Sequence, residues 1–230
     1  TYRFKRSLDY RFAPSADASA LGTDNVLYTT STIGVDLRRD SRRQQVIDPE
    51  TGTLSSLGVA WSAKPLGADV DFVELTADWT GIWSPAEWLL IALHAGGTTR
   101  DPLVVDSLPI GERLFLGGED TVRSFTKDDL GPRDASGDPL GGLTRGVANV
   151  EIRLRPFTHL RNLEFPIFYD LGCVDPRPWK LSSPAGQGVG SGVRYRTPVG
   201  PIRVDGAYNP GNELGADHRW AIHVAVGFAF

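Results

Sequence analysis

The sequence predicts an all-β protein, an antiparallel up-and-down transmembrane β-barrel, and three observations lead to that class. Apolar residues recur at every second position through most of the 230 residues, which is the period of a β-strand with one apolar side. Many of the 26 glycines and 16 prolines fall in clusters between these segments, as turn residues do. The longest uncharged apolar run, residues 88–93, is far shorter than the ~18 residues that a membrane helix needs.

The C-terminal segment shows the alternation most clearly. From residue 220 onward, large apolar side chains occupy one side of the predicted strand and small or polar side chains occupy the other. The apolar set is Trp220, Ile222, Val224, Val226, Phe228 and Phe230. A strand of this kind is suited to lipid on one side and to a polar interior on the other, so the mild mean hydropathy is an average over two opposite sides.

Alternation and turn clusters together predict about ten strands. They lie near residues 2–12, 27–37, 55–61, 73–79, 88–96, 148–154, 165–171, 189–197, 202–208 and 220–230. In several of them the second side carries charge, as with Glu151, Arg153, Asp170, Arg203 and Asp205. The second side of the segment at 186–192 instead carries four alternating glycines, which indicate glycine on the inner side of a strand and not a nucleotide-binding loop.

The predicted connections alternate between short and long along much of the chain. Those at 65–68 and 198–201 are short, whereas those at 39–53, 98–144, 174–186 and 209–218 are long and polar. Short turns on one side of a membrane and long loops on the other are typical of an up-and-down barrel.

Aromatic residues near the predicted strand ends favour a membrane protein. The set is Trp79, Trp83, Trp88, Tyr208 and Trp220, and we expect these residues to form girdles at the two membrane interfaces. The alternative is that they pack in the core of a soluble β-sandwich, which would remain monodisperse without detergent.

Composition and spacing disfavour an enzyme, a metal site, a cofactor site and a nucleic-acid interface. A formal net charge of −4 gives no basic surface for nucleic acid. The four histidines stand far apart without ligand spacing, Cys173 is the only cysteine, and no Ser-His-Asp or Cys-His set can be assembled. We therefore expect no catalytic residues, no metal and no cofactor.

One long connection, residues 109–144, is too long for an ordinary turn and is expected to be functional or disordered. Its first part mixes one arginine with Leu114, Phe115, Leu116, Val122 and Phe125, which indicates a packed loop. Its acidic, glycine-rich tail, residues 128–142, is expected to be solvated or disordered.

Four segments in this order resemble motifs of one bacterial family. Val122-Arg123-Ser124-Phe125 follows a double glycine, Phe168-Tyr169-Asp170-Leu171-Gly172 lies on a strand, Gly188–Asp205 forms a hairpin, and the alternating segment ends at Phe230. They are similar to the motifs of the bacterial surface-antigen superfamily, the outer-membrane assembly and secretion barrels of the BamA-like and TamA-like kind. Ser124 stands where the family motif has glycine.

The resemblance implies a role for the long loop. In that family the loop folds back into the barrel, and its arginine pairs with acidic residues that project inward from strands. It therefore implies that Arg123 pairs with Asp170 and with Glu151. The family barrel has about sixteen strands, so the ten predicted here imply either a C-terminal part of a larger barrel or a smaller barrel that closes differently. We accordingly expect residues 1–230 to be a barrel domain or such a part of one.

The resemblance also implies a function and a location. We expect an assembly factor of the bacterial outer membrane, which helps to fold, insert or translocate β-barrel or secreted proteins. Its partners would be the lipid bilayer, unfolded substrate proteins, and periplasmic accessory domains or lipoproteins, but not nucleic acid. The alternatives are a two-partner secretion pore, the barrel anchor of a surface-displayed enzyme and, in another class, a passive porin.

Overall fold

The protein is a single ten-stranded antiparallel sheet. The computed structural model describes residues 2–8, 27–42, 50–104, 108–157, 159–160, 162–197, 200–211 and 219–227. The strands are β1 (Tyr2–Leu8), β2 (Leu27–Asp40), β3 (Gly52–Ser62), β4 (Phe72–Ala86), β5 (Leu89–Pro102), β6 (Thr144–Leu154), β7 (Leu163–Asp175), β8 (Gly186–Tyr195), β9 (Ile202–Tyr208) and β10 (Trp220–Val226). Two 3₁₀ turns, Lys64–Leu66 and Ile110–Glu112, lie in the connections.

Each strand pairs with its neighbours in sequence, from β1 at one edge to β10 at the other. All of these pairings are antiparallel, with a register shift between Trp83 and Ala86 in the β4–β5 pair. The predicted all-β, up-and-down class is confirmed. None of the helices in the described ranges combines the length and the apolar character needed to cross a bilayer.

One side of the sheet is apolar and exposed, which reverses the usual arrangement of a globular protein. Val35 on β2 is 66 % exposed, Val150 on β6 is 43 % exposed and Ile222 on β10 is 78 % exposed. The opposite side carries the buried charges, among them Glu151, Asp170, Arg194 and Asp205. Apolar side chains that face outward and polar ones that face inward are the pattern of a transmembrane barrel.

The connections differ in length between the two ends of the strands. Residues 9–26, 63–71, 103–143, 176–185 and 209–219 join strands at one end, and residues 41–51, 87–88, 155–162 and 196–201 join them at the other. The first end has the longest loop, so by the usual asymmetry of outer-membrane barrels it is the extracellular end.

Three of the predicted connections have different bounds in the structure. The connection at 65–68 is part of a longer loop, because Asp71 accepts a hydrogen bond from the backbone of Lys64 (2.7 Å) and Asp69 accepts one from the backbone of Thr29 (2.8 Å). The connection predicted at 39–53 is shorter, because β2 continues through Asp40. The long loop likewise begins at residue 103, since β5 continues to Pro102.

The aromatic residues are exposed, but one of them lies far from a strand end. Trp83, Trp88 and Trp220 are 61 %, 56 % and 70 % exposed. The ring of Trp220 packs against that of Tyr208, with 4.7 Å between the centroids. Trp79 lies in the middle of β4, where it is paired with Ser55 and Ala95, so its assignment to an interfacial girdle was wrong.

A charged side chain on the apolar side should destabilise the protein more, the deeper it lies in the bilayer. Val150→Arg, in the interior of β6, is expected to cost ~2–4 kcal/mol, whereas Ile202→Arg, at the first residue of β9, should cost ~0–1 kcal/mol. Urea unfolding of the full-length protein in lipid vesicles measures both. Equal costs at the two positions would contradict the lipid-facing assignment of this side.

Candidate functional site

The loop between β5 and β6 places Arg123 against two acidic residues on the inner side of the sheet. The Arg123 guanidinium donates to both Asp170 carboxylate oxygens, from Nε and Nη2, at 2.8 Å each. Its Nη1 donates to Glu151 Oε2 at 2.7 Å. The Arg123 backbone N–H adds a bond of 3.1 Å to Asp170 Oδ2. One loop residue thus connects β6 and β7 through charged hydrogen bonds, which are roughly twice as strong as neutral ones.

The surroundings of Arg123 keep its charge in place. Its side chain is 1 % exposed, and its guanidinium carbon lies 3.3 Å from the centre of the Phe168 ring, as in a cation–π contact. Burial alone would lower the pKa of Arg123, but the hydrogen bonds and charges of Asp170 and Glu151 raise that pKa well above its ordinary value. The guanidinium therefore remains charged wherever the protein is folded.

Glu151 accepts hydrogen bonds from three arginines. Its Oε1 accepts a hydrogen bond from Arg153 Nε at 2.6 Å, and its Oε2 accepts one from Arg194 Nη2 at 2.6 Å in addition to the one from Arg123. Asp205 Oδ2 lies 3.6–3.8 Å from Arg123, Arg194 and the β9 residue Arg203. Buried charges of both signs therefore alternate across β6, β7, β8 and β9, which compensates part of the cost of removing them from water.

An amide completes the coordination of Asp170. Asn149 Nδ2 donates to Asp170 Oδ1 at 2.8 Å and to the backbone carbonyl of Thr121 at 2.7 Å. Asn149 Oδ1 contacts His94 Nδ1 at 2.9 Å. Both carboxylate oxygens of Asp170 consequently have two partners each, and none of its charge is left uncompensated.

Glycines on β7 and β8 leave the space that the loop occupies next to the sheet. A side chain at Gly172 would collide with Val122, and one at Gly186 would collide with Leu130 and Phe125. A Cβ at Gly188 would lie 3.0 Å from Ser124 Oγ. Because these glycines lack side chains, the loop backbone lies directly on the sheet.

Ser124 uses the space over Gly188 to make a bond of its own. Its Oγ donates to the Gln187 carbonyl at 2.6 Å, and its φ is not in the left-handed region. Serine therefore fits the backbone conformation at this position and adds a contact with β8 that glycine lacks.

The tail of the loop is ordered, so the expectation of a solvated or disordered segment at 128–142 was wrong. Leu130 is 1 % exposed and packs with Leu116, Val122, Phe125 and Val174 in one buried cluster. Backbone bridges join Leu116 to Leu130 and Leu114 to Gly142. The acidic composition concealed this structure, because one buried leucine, Leu130, and backbone pairing hold the segment.

The same loop also contacts β9 and β10. Arg203 donates to the Glu119 carbonyl at 2.9 Å and to the Asp120 carboxylate at 2.5 Å. His223 Nε2 lies 2.9 Å from the carbonyl oxygen of Arg123. The turn at 119–125 therefore touches the last five strands of the sheet.

The residues predicted as site members are placed as follows. Val122, Arg123, Ser124 and Phe125 lie against the inner side of β6–β8, where Arg123 meets both Asp170 and Glu151. Trp220, Ile222, Val224 and Val226 line the exposed outer side of β10, so they lie on a separate surface. Phe228 and Phe230 lie outside the described residues.

Sequence reasoning missed Asn149, Arg194 and His223 as members of the site. Each stands at a position between outward-facing apolar residues, so the alternation alone would have placed it on the inner side. The described residues contain no group of three or more His, Cys, Asp or Glu side chains arranged to hold a metal ion.

Comparisons with known proteins show what this chain is similar to. A family model described as the Omp85 superfamily domain matches residues 2–230. The outer membrane protein assembly factor BamA of Nitratidesulfovibrio vulgaris (strain Hildenborough) is 28 % identical over 162 residues, which cover 67 % of this chain and 20 % of that protein. This chain therefore spans about a fifth of the length of that relative.

Two solved structures share the fold. The crystal structure of BamA from Haemophilus ducreyi lacking POTRA domains 1–3 superposes with a TM-score of 0.74 at 15 % identity, over 92 % of this chain and 46 % of that one. CdiB from Acinetobacter baumannii superposes with a TM-score of 0.56 at 16 % identity, over 85 % of this chain and 32 % of that one.

Removal of the buried guanidinium should destabilise the sheet. Arg123→Ala leaves Asp170 and Glu151 buried with fewer partners, and breaking such a pair costs ~3–5 kcal/mol. Urea unfolding and the heat-modifiability of the folded band on a gel measure the loss. Arg38→Ala is the matched control, because the Arg38 side chain is 63 % exposed and its ion pair should contribute only ~0–1 kcal/mol.

Filling the space under Ser124 should displace the loop. Gly188→Val puts a branched side chain where a Cβ alone is already 3.0 Å from Ser124 Oγ, and overpacking of this kind costs ~1–3 kcal/mol. Gly206→Ala on β9 is the control, because its nearest neighbouring atom would be 3.9 Å away. The comparison is made by urea unfolding together with limited proteolysis within residues 113–143, and equal behaviour of the two variants would refute close packing of the loop on β8.

Proposed function

Since this chain belongs to the Omp85 superfamily, we propose that it forms the barrel part of an assembly factor that inserts or translocates β-rich proteins. It is a β-barrel protein of the bacterial outer membrane. The proposed substrates are unfolded outer-membrane or secreted proteins. The proposed partners are the lipid bilayer and periplasmic accessory domains or lipoproteins.

The observation that carries this proposal is the last strand of the described sheet, β10, whose edge away from β9 is the proposed site of substrate pairing. Within the described residues, β10 pairs with β9 through seven residues and with no other strand. An unpaired strand edge presents free backbone N–H and C=O groups, to which another strand can add by main-chain hydrogen bonds. An edge of this kind recognises extended chains without reading their sequence, as a general assembly factor must.

The outer side of β10 supports the same proposal. Trp220, Ile222 and Val224 are 70 %, 78 % and 73 % exposed, so a strand that added to this edge would continue an apolar side already suited to lipid. Backbone pairing and transfer into the bilayer would then proceed at one place, and no covalent step would be needed.

In this proposal, the charged site around Arg123 stabilises the arrangement of the C-terminal strands. In the proposed mechanism the edge of β10 is only weakly closed, so other contacts must hold the shape of the sheet. The loop provides this support, because Arg123 joins β6 to β7 and Ser124 adds β8. We propose that the Val122–Phe125 motif keeps the C-terminal strands in position while the edge of β10 remains available.

A reconstitution experiment tests the function. The full-length protein in lipid vesicles is mixed with a urea-unfolded outer-membrane barrel, and the folded substrate is followed by its heat-modifiability. We expect the wild type to accelerate folding over empty vesicles, and Arg123→Ala to lose most of that acceleration while Arg38→Ala retains it. The reason is that Arg123 joins the loop to β6 and β7, whereas the Arg38 side chain is exposed on β2.

The cellular counterpart separates the alternatives. Depletion of the full-length protein should lower the folded level of several unrelated outer-membrane barrels. Loss of a single secreted protein would instead identify a secretion pore. Stable ion-selective conductance, with no effect of depletion on other barrels, would identify a passive porin.

A further inference from the structure

We propose that His223 is a positioning residue that couples the last strand to the loop turn at 119–125, so that movement of the β10 edge is transmitted to Arg123. This inference rests on the proposed function, because it assigns a means of regulation to the same edge of β10. It is carried by one contact, by the composition of β10 and by the free space beside the contact.

The contact joins a strand side chain to the backbone of the arginine itself. His223 Nε2 lies 2.9 Å from the Arg123 carbonyl oxygen. A carbonyl oxygen can only accept, so His223 Nε2 carries the hydrogen and donates it. His223 Nδ1 lies 4.0 Å from the Glu119 carboxylate, so both ring nitrogens face the same turn of the loop.

The composition of the inner side of described β10 leaves His223 as the side chain that can make this contact. The inner side of the strand consists of Ala221, His223 and Ala225, since the residues between them are exposed outward. The two alanines have no hydrogen-bonding side-chain atoms. His223 is therefore the one inward side chain of described β10 that can form a side-chain hydrogen bond with the loop.

The residue that receives the bond is also the one that organises the site. Arg123 is bound by Asp170 through its backbone N–H and its guanidinium, and by Glu151 through the guanidinium. The carbonyl of Arg123 points to β10 while its other groups bind β6 and β7. A change in the position of β10 therefore acts directly on the residue that connects the other strands.

Open space lies beside the contact. A cavity of about 590 Å³ lies between the loop and β10, and its lining includes Glu119, Lys127, Trp220 and His223. This space separates the loop from the first residues of β10, so close packing does not reinforce the contact of His223 there.

Two substitutions, whose side-chain amide groups differ in reach by one bond, test the coupling between β10 and the loop. His223→Gln places an amide nitrogen as many bonds from Cα as His223 Nε2, so it keeps a donor at the same reach. His223→Asn places its nitrogen at the position of Nδ1, which is too short. Both residues are polar and uncharged, so each is the control for the other.

Hydrogen exchange of the full-length protein in lipid vesicles, with no substrate present, is the measurement. We expect His223→Asn to accelerate exchange roughly five- to tenfold in peptides covering both 220–226 and 118–125, as for the loss of one hydrogen bond, and His223→Gln to restore nearly the wild-type rates. Acceleration in β10 alone, or equal rates in the two variants, would overturn the coupling.

The same variants in the vesicle-folding assay keep the two proposals apart. If the coupling is present and the wild type also accelerates folding of a substrate barrel, His223→Asn should change that acceleration and His223→Gln should not. An exchange response without any wild-type acceleration leaves the coupling supported and overturns only the assembly function.

Discussion

The burial of one guanidinium is the constraint on which the C-terminal half of this structure depends. Arg123 comes from a loop, yet its side chain is 1 % exposed, so its charge must be compensated inside the sheet. Removing a charge from water costs several kcal/mol unless opposite charges and hydrogen bonds replace the solvent. Asp170 and Glu151 supply them from β7 and β6, and the glycines of β7 and β8 let the loop backbone come close enough to reach them.

The fold follows from the alternation because the period of a strand is fixed at two. Once the apolar side of β6, β7 and β9 is known, Glu151, Asp170 and Asp205 must lie on the other side. The resemblance to one family, drawn from four short segments, is confirmed by the match over residues 2–230. Strand ends were less predictable, since β2 and β5 continue through polar residues such as Asp40 and Arg100.

The sequence predicted only those site residues that the family motifs contain or imply. Alternation places Glu151 and Asp170 inward, but it cannot choose which distant loop residue meets them; that choice came from the family motif. The contact of His223 with Arg123 joins residues one hundred positions apart, and nothing in local sequence signals it. The packing of the 128–142 tail escaped prediction for the same reason, since its partner Val174 lies on another strand.

The loop binds β6 and β7 more strongly than it binds β10. It is joined to β6 and β7 by buried charged pairs, and removing one partner of such a pair costs ~3–5 kcal/mol. To β10 it is joined by a histidine–carbonyl bond, a type that contributes about 1 kcal/mol net. A small displacement of β10 therefore reaches Arg123 through this bond, while the stronger charged pairs keep the loop attached to β6 and β7. The loop can respond to the last strand without losing its place on the strands behind it.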